Sequence, residues 1–162
     1  MIVKALDPTD QGNARRWDEF VHGCPEATFF HRAAWQGILR DVFRHPTHFL
    51  YTEQAGQITG VLPMAHVKSR LFGNALTAMP FAVYGGVAAS NAEAAKALED
   101  EAQKLARKLD VEHLEFRNMS ARHADWPTQD LYVTFRKEIL PDPEANMQAI
   151  PRKQRAMVRK GI

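Results

Sequence analysis

His48-Phe-Leu-Tyr-Thr-Glu53, Gln54-Ala-Gly-Gln57 and Ile58-Thr-Gly-Val-Leu-Pro-Met-Ala-His-Val-Lys68 form the stretch whose reading decides the fold. Two runs rich in aromatic and β-branched residues flank four residues that include a glycine, which is the pattern of a β-hairpin. The sheet is expected to continue through Ala75–Met79 and Phe81–Ala89 around Pro80. No helical period interrupts the run from His48 to Ala89, so consecutive strands pair antiparallel. Ser90-Asn-Ala-Glu93 then reads as a capping box. It opens a helix to about Leu109, with Leu98, Ala102, Leu105 and Leu109 on the buried face.

Upstream, Ile2–Leu6 is a short strand stopped by Asp7-Pro8. Helices follow over residues 11–22 and 31–43, separated by Gly23-Cys24-Pro25. Downstream, Val111–Asn118 is a strand with Leu114 and Phe116 on one face and Glu115 and Arg117 on the other. Leu131–Leu140 is another strand. Pro143–Ile150 is a short helix ended by Pro151, and a basic helical segment comes next. This order excludes a doubly wound nucleotide-binding fold, which alternates strand and helix throughout. It predicts an α/β (α+β) domain of GNAT-like N-acyltransferase type, with a mixed, mainly antiparallel sheet flanked by helices. Residues 1–150 are assigned to that domain and 151–162 to a segment leading into a second one.

Composition narrows the function classes. At 162 residues, with 45% hydrophobic and 25% charged residues, the chain has the make-up of a folded domain. The opening apolar run is too short for a secretory leader and meets Asp7-Pro8 at once. Leu71–Ala92 is broken by Gly73, Asn74, Pro80, Gly85 and Gly86, so it reads as strands and turns with no transmembrane segment. A single cysteine, Cys24, precludes an internal disulfide and fits a cytoplasmic setting. Five of the 21 lysines and arginines lie in 152–162, leaving 16 against 19 acids and a charge of −3 over residues 1–151. A mildly acidic body with a basic tail offers a local anion site.

Several chemistries lack their residues. The seven histidines are scattered, and the close pair His45 and His48 has no third ligand in sequence, so no metal site is expected. None of the serines Ser69, Ser90 and Ser120 sits in a nucleophile elbow. The stretch Val83-Tyr84-Gly85-Gly86-Val87 precedes the long helix where a pyrophosphate loop would stand, but its glycine spacing is wrong. A bulge or close backbone approach explains the glycines equally well.

Five segments, in order, carry a resemblance. They are Phe29-Phe-His-Arg-Ala-Ala-Trp35, Gly60-Val-Leu-Pro-Met64, Met79-Pro-Phe-Ala-Val-Tyr-Gly-Gly86, Leu114-Glu-Phe-Arg117 and Ile150-Pro-Arg-Lys-Gln-Arg-Ala-Met-Val-Arg-Lys-Gly161. Together they resemble FemAB-like proteins, and most nearly the branch associated with exosortase/PEP-CTERM exopolysaccharide loci. The resemblance implies the first of two GNAT-like halves of a transferase. Such transferases use aminoacyl-tRNA to add amino acids to a peptidoglycan precursor. No cofactor is expected in this domain; the donor implied for the whole protein is aminoacyl-tRNA or acyl-CoA. The implied partners are a second GNAT-like half and a phosphate-bearing precursor or tRNA, with homo-oligomerisation through the truncated edge as a further option.

The candidate substrate-binding residues are Arg32, Trp35, Tyr84, Gly85, Gly86, Arg117, Arg152, Lys153, Arg155 and Arg159. Arg152, Arg155 and Arg159 recur at i, i+3 and i+7 and present three guanidiniums suited to phosphate, although a solvated charged face reads the same way. Arg32 and Trp35 share a helix face, with Trp35 also a candidate for the core. The resemblance places this helix start beside the precursor cleft. Tyr84 is either core or the floor of a cleft with the two glycines, and Arg117 either contacts substrate or pairs with a neighbouring glutamate. No residue stands out as a catalytic base. A non-catalytic module for a nucleotide-sugar, lipid-linked glycan or RNA is the alternative function.

Overall fold

The computed structural model describes residues 1–69, 73–129 and 133–161, and the chain divides into two compact units, Met1–Ala124 and Asp125–Ile162. In the first unit β1 (Ile2–Ala5), β2 (Thr47–Gln54), β3 (Gln57–Ser69), β4 (Gly73–Ala78) and β6 (His113–Glu115) form a sheet in the order β1-β2-β3-β4-β6. The short β5 (Ala88–Ala89) also pairs with β3. All pairings are antiparallel except β4 with β6, so the sheet is mixed and mainly antiparallel, as expected. The β2–β3 hairpin turns on Ala55 and Gly56, both in the left-handed region (φ 49° and 78°), as a two-residue hairpin loop requires.

Alternation along the strands builds two cores. Phe49, Tyr51, Val61 and Ala65 face α1 (Gln11–Gly23) and α2 (Ala34–Asp41), where they pack with Trp17, Val21 and Leu39. Leu50, Leu62, Met64 and Leu76 face the other way, onto Ala95, Leu98 and Ala102 of α3 (Ala92–Lys108). The sheet is therefore covered on both faces, which is why its strands read as nearly continuous apolar runs.

The structure corrects several boundaries. The expected helix over 31–43 begins instead with a 3-10 turn, Phe29–His31, capped by Thr28; Arg32 is extended and α2 starts at Ala34. The expected strand Phe81–Ala89 shrinks to Ala88–Ala89. Pro63 is the reason. Its carbonyl accepts from Met79 N–H, so its nitrogen faces the same neighbour and has no hydrogen to give. The ladder breaks there, and residues 79–87 leave the sheet while β3 spans the gap with Leu62 and Pro63. Asn91, not Ser90, caps α3: its side chain accepts from Ala94 N–H, while the Ser90 hydroxyl donates to Thr59 O. The strand expected over 111–118 is limited to His113–Glu115.

The second unit contains α4 (Pro143–Gln148), capped by Asp142, and α5 (Arg152–Gly161). Of the strand expected over 131–140, residues 131 and 132 lie outside the described residues, and 133–140 form neither strand nor helix. Among the described residues, no helix is long and apolar enough to cross a membrane.

Candidate functional site

The excursion over 79–87 is held by its own hydrogen bonds. Gly85 N–H and Gly86 N–H both donate to Arg117 O at 3.2 Å, and Val87 N–H donates to Asn118 Oδ1 at 3.1 Å. Arg117 Nη1 donates in turn to Ala82 O at 2.6 Å, and its Nε pairs with Glu115 at 2.8 Å. Both glycines are required by close approach: a Cβ on Gly85 would collide with the Met79 side chain, and one on Gly86 with Asn118. Met79 and Phe81 are themselves left-handed (φ 47° and 68°), so the loop stores backbone strain against well-packed surroundings.

His31 ties this loop to the turn before α2. Its Nδ1 accepts from Thr28 N–H at 3.0 Å, which leaves the proton on Nε2 to donate to Gly86 O at 3.0 Å. Trp17 Nε1 donates to His31 O at 2.6 Å. Burial holds the His31 pKa below its ordinary value. Sequence reasoning missed both His31 and Asn118. Thr28 with His31 three residues later was the available signal, a capping pair using histidine in place of the usual acid or amide. Asn118 offered none.

A third charged cluster also went unread. Glu99 of α3 is buried and accepts from Arg122 Nε at 2.8 Å and from His123 Nε2 at 3.1 Å, and Arg122 also lies 3.8 Å from Glu26. Glu26 in turn accepts from Ala89 N–H at 3.3 Å, which links the cluster to β5.

The structure thus gathers Gly85, Gly86 and Arg117 into one hydrogen-bonded unit, with the half-buried Tyr84 in the same loop. Arg32 and Trp35 stand elsewhere. Arg32 pairs with Asp18 at 3.1 Å and lines a cleft of about 750 Å³ between α1 and α2, together with Arg15, Asp18, His22, Gln36 and Arg40. No residue of the 79–87 loop lines that cleft. Trp35 is half-buried, packs its ring on Phe29 and Phe30, and donates to Phe29 O. Arg152, Lys153, Arg155 and Arg159 belong to α5 in the second unit. The first, second and fourth are exposed, whereas Arg155 Nε is sealed from solvent with no acceptor among the described residues. Among the described residues, no group of three or more His, Cys, Asp or Glu could hold a metal ion.

Two helices on one face, one on the other, and a parallel β4–β6 pair after three antiparallel strands match known structures over nearly their full length. A GNAT family acetyltransferase from Staphylococcus aureus superposes with a TM-score of 0.54 at 10% identity, covering 85% of this chain and 98% of its own. The fold is GNAT. A ribosomal-protein-alanine N-acetyltransferase from Brucella melitensis gives 0.52 at 15% identity, covering 83% of this chain and 100% of its own. An aminoglycoside 6'-N-acetyltransferase from Acinetobacter haemolyticus gives 0.53 at 13% identity, covering 86% and 99%. No family model and no curated protein matches the chain. Within this GNAT fold, the stretch leading into α3 carries glycines whose N–H donors are already taken by Arg117 and Asn118.

Proposed function

We propose that the chain is the N-terminal half of a FemAB-like N-acyltransferase or aminoacyltransferase acting in the cytoplasm on a cell-envelope or exopolysaccharide precursor. The observation that carries this reading is a GNAT fold whose loop amides are closed. In direct acyl transfer an amine attacks an activated ester or thioester, and free backbone N–H groups stabilise the oxyanion. Here the Gly85, Gly86 and Val87 donors are spent on Arg117 O and Asn118 Oδ1. A second GNAT-like half would therefore hold the aminoacyl-tRNA or acyl-CoA donor, and this half would shape the acceptor side. The α1–α2 cleft suits that task, because Arg15, Arg32 and Arg40 line it while Asp18 is engaged by Arg32 Nε and Ala33 N–H. The basic residues of α5 would add contacts to a phosphate-bearing precursor or tRNA.

A non-catalytic module for a phosphate-bearing ligand is the second reading. It is favoured by His31, whose two ring nitrogens are both engaged, so that it supplies no base at the loop. Single-turnover assays on a protein carrying both halves, with charged tRNA or acyl-CoA, separate the two. Transfer to an amine acceptor supports the transferase; ligand binding without turnover supports the module.

A further inference from the structure

The helix α5 has a division of faces that phosphate binding alone does not explain. At about 100° per residue, Arg155, Arg159, Arg152, Lys160 and Lys153 fall within an arc of roughly 160°. Met157, Gly161, Gln154 and Val158 occupy the opposite arc of about 100°. Lys153 borders the apolar strip beside Met157, and Arg155 borders it beside Val158. The helix contains no acid, and none of its five cations forms an ion pair among the described residues. Met157 is 67% exposed and Val158 39%, so the second unit does not bury the strip.

We propose that α5 docks on the surface of an anionic lipid bilayer, with Met157 and Val158 in the interface and Lys153 and Arg155 on the headgroup phosphates. This rests on reading α5 as an anion-binding segment and specifies which anion it meets. A nucleic acid would neutralise the cations but leave both apolar side chains in water. A bilayer interface accepts the two together, with flanking cations reaching the phosphates and the remaining three adding long-range attraction. The unmet Arg155 Nε points the same way, because a headgroup phosphate supplies the acceptor that the described residues lack.

The test is flotation of the 162-residue chain with mixed phosphatidylglycerol–phosphatidylcholine vesicles and with pure phosphatidylcholine vesicles. The expected preference for the anionic vesicles is on the order of a hundredfold, falling steeply with salt. Lys153→Glu with Arg155→Glu should weaken it by roughly tenfold or more, and so should Met157→Asp with Val158→Asp. Thermal unfolding of both variants should match that of the parent, since these positions are exposed or half-exposed. Inorganic pyrophosphate should fail to displace the chain. Equal binding to both vesicle types would overturn the proposal. So would an apolar-strip variant that still floats normally, or a homopolymeric RNA that binds more tightly and is indifferent to Met157→Asp with Val158→Asp. Because no transfer activity is read, failure here leaves the transferase reading standing.

Discussion

Replacing Gly86 by alanine probes the loop at its tightest point. The added methyl would overlap Asn118 Oδ1 and approach Asn118 Cγ to 2.8 Å and Asn118 N to 2.9 Å. The backbone nitrogen cannot swing away, so either the loop or the end of β6 must move. Overpacking of this kind costs about 1–3 kcal/mol. Displacing Oδ1 also strips the acceptor from Val87 N–H, and an orphaned buried donor adds about 1–3 kcal/mol. The sum is about 2–5 kcal/mol, which at about 3 °C per kcal/mol for a chain of this size lowers Tm by about 6–15 °C. Circular dichroism melts and urea midpoints read this directly. Asn118→Ala should cost about 1–2 kcal/mol alone, and the double variant should be less destabilised than the sum, because the two residues share one contact. A Gly86→Ala protein within about 0.5 kcal/mol of the parent, or strict additivity with Asn118→Ala, would refute the packed-loop reasoning.

The remaining predictions follow from other parts of the structure. Burial lowers the pKa of both His31 and His48, so the unfolded chain takes up their protons first: stability is intact above about pH 6.5 and is lost as pH falls from there toward the folded values. Urea midpoints at pH 7.5 and 5.5 should therefore drop on acidification, and His31→Gln should reduce that drop. Glu99→Ala removes the shared acceptor of Arg122 and His123 and should cost about 2–3 kcal/mol, with Glu99→Gln milder, as read by chemical denaturation. Arg152→Ala, Arg155→Ala and Arg159→Ala combined should leave the melt of the fold unchanged and weaken anion binding in a salt-dependent way; a triple variant that unfolds with binding intact would make the segment structural.

How far the sequence reached is clearest at particular elements. The hairpin at Ala55-Gly56 and the helices α1 and α3 were legible because period and turn chemistry are local properties. So was the exclusion of a doubly wound fold, which rests only on the order of elements. The 79–87 excursion was not. Its cause, the missing N–H of Pro63, sits on a different strand, and an apolar run such as Met79–Ala89 looks the same whether it is paired in a sheet or buried as a loop. Ser90 and Asn91 are both good cap residues, and only the bond from the Ser90 hydroxyl to Thr59 O on β3 decided between them. Of the candidate residues, Gly85, Gly86 and Arg117 were named without their mutual bonds, since sequence shows residue types but not which carbonyl a buried N–H will find. His31 and Glu99 escaped because a histidine and a glutamate on amphipathic segments read as surface until tertiary packing buries them.

The claim at the centre of this account is that the amides leading into α3 are closed to a donor in this half of the protein. Calorimetric titration of acetyl-CoA into the 162-residue chain tests it most directly. Because Gly85, Gly86 and Val87 already donate to Arg117 and Asn118, no saturable heat is expected in the micromolar range, with or without magnesium. A micromolar, magnesium-independent isotherm that Asn118→Ala alters would contradict the account and make this half the donor site.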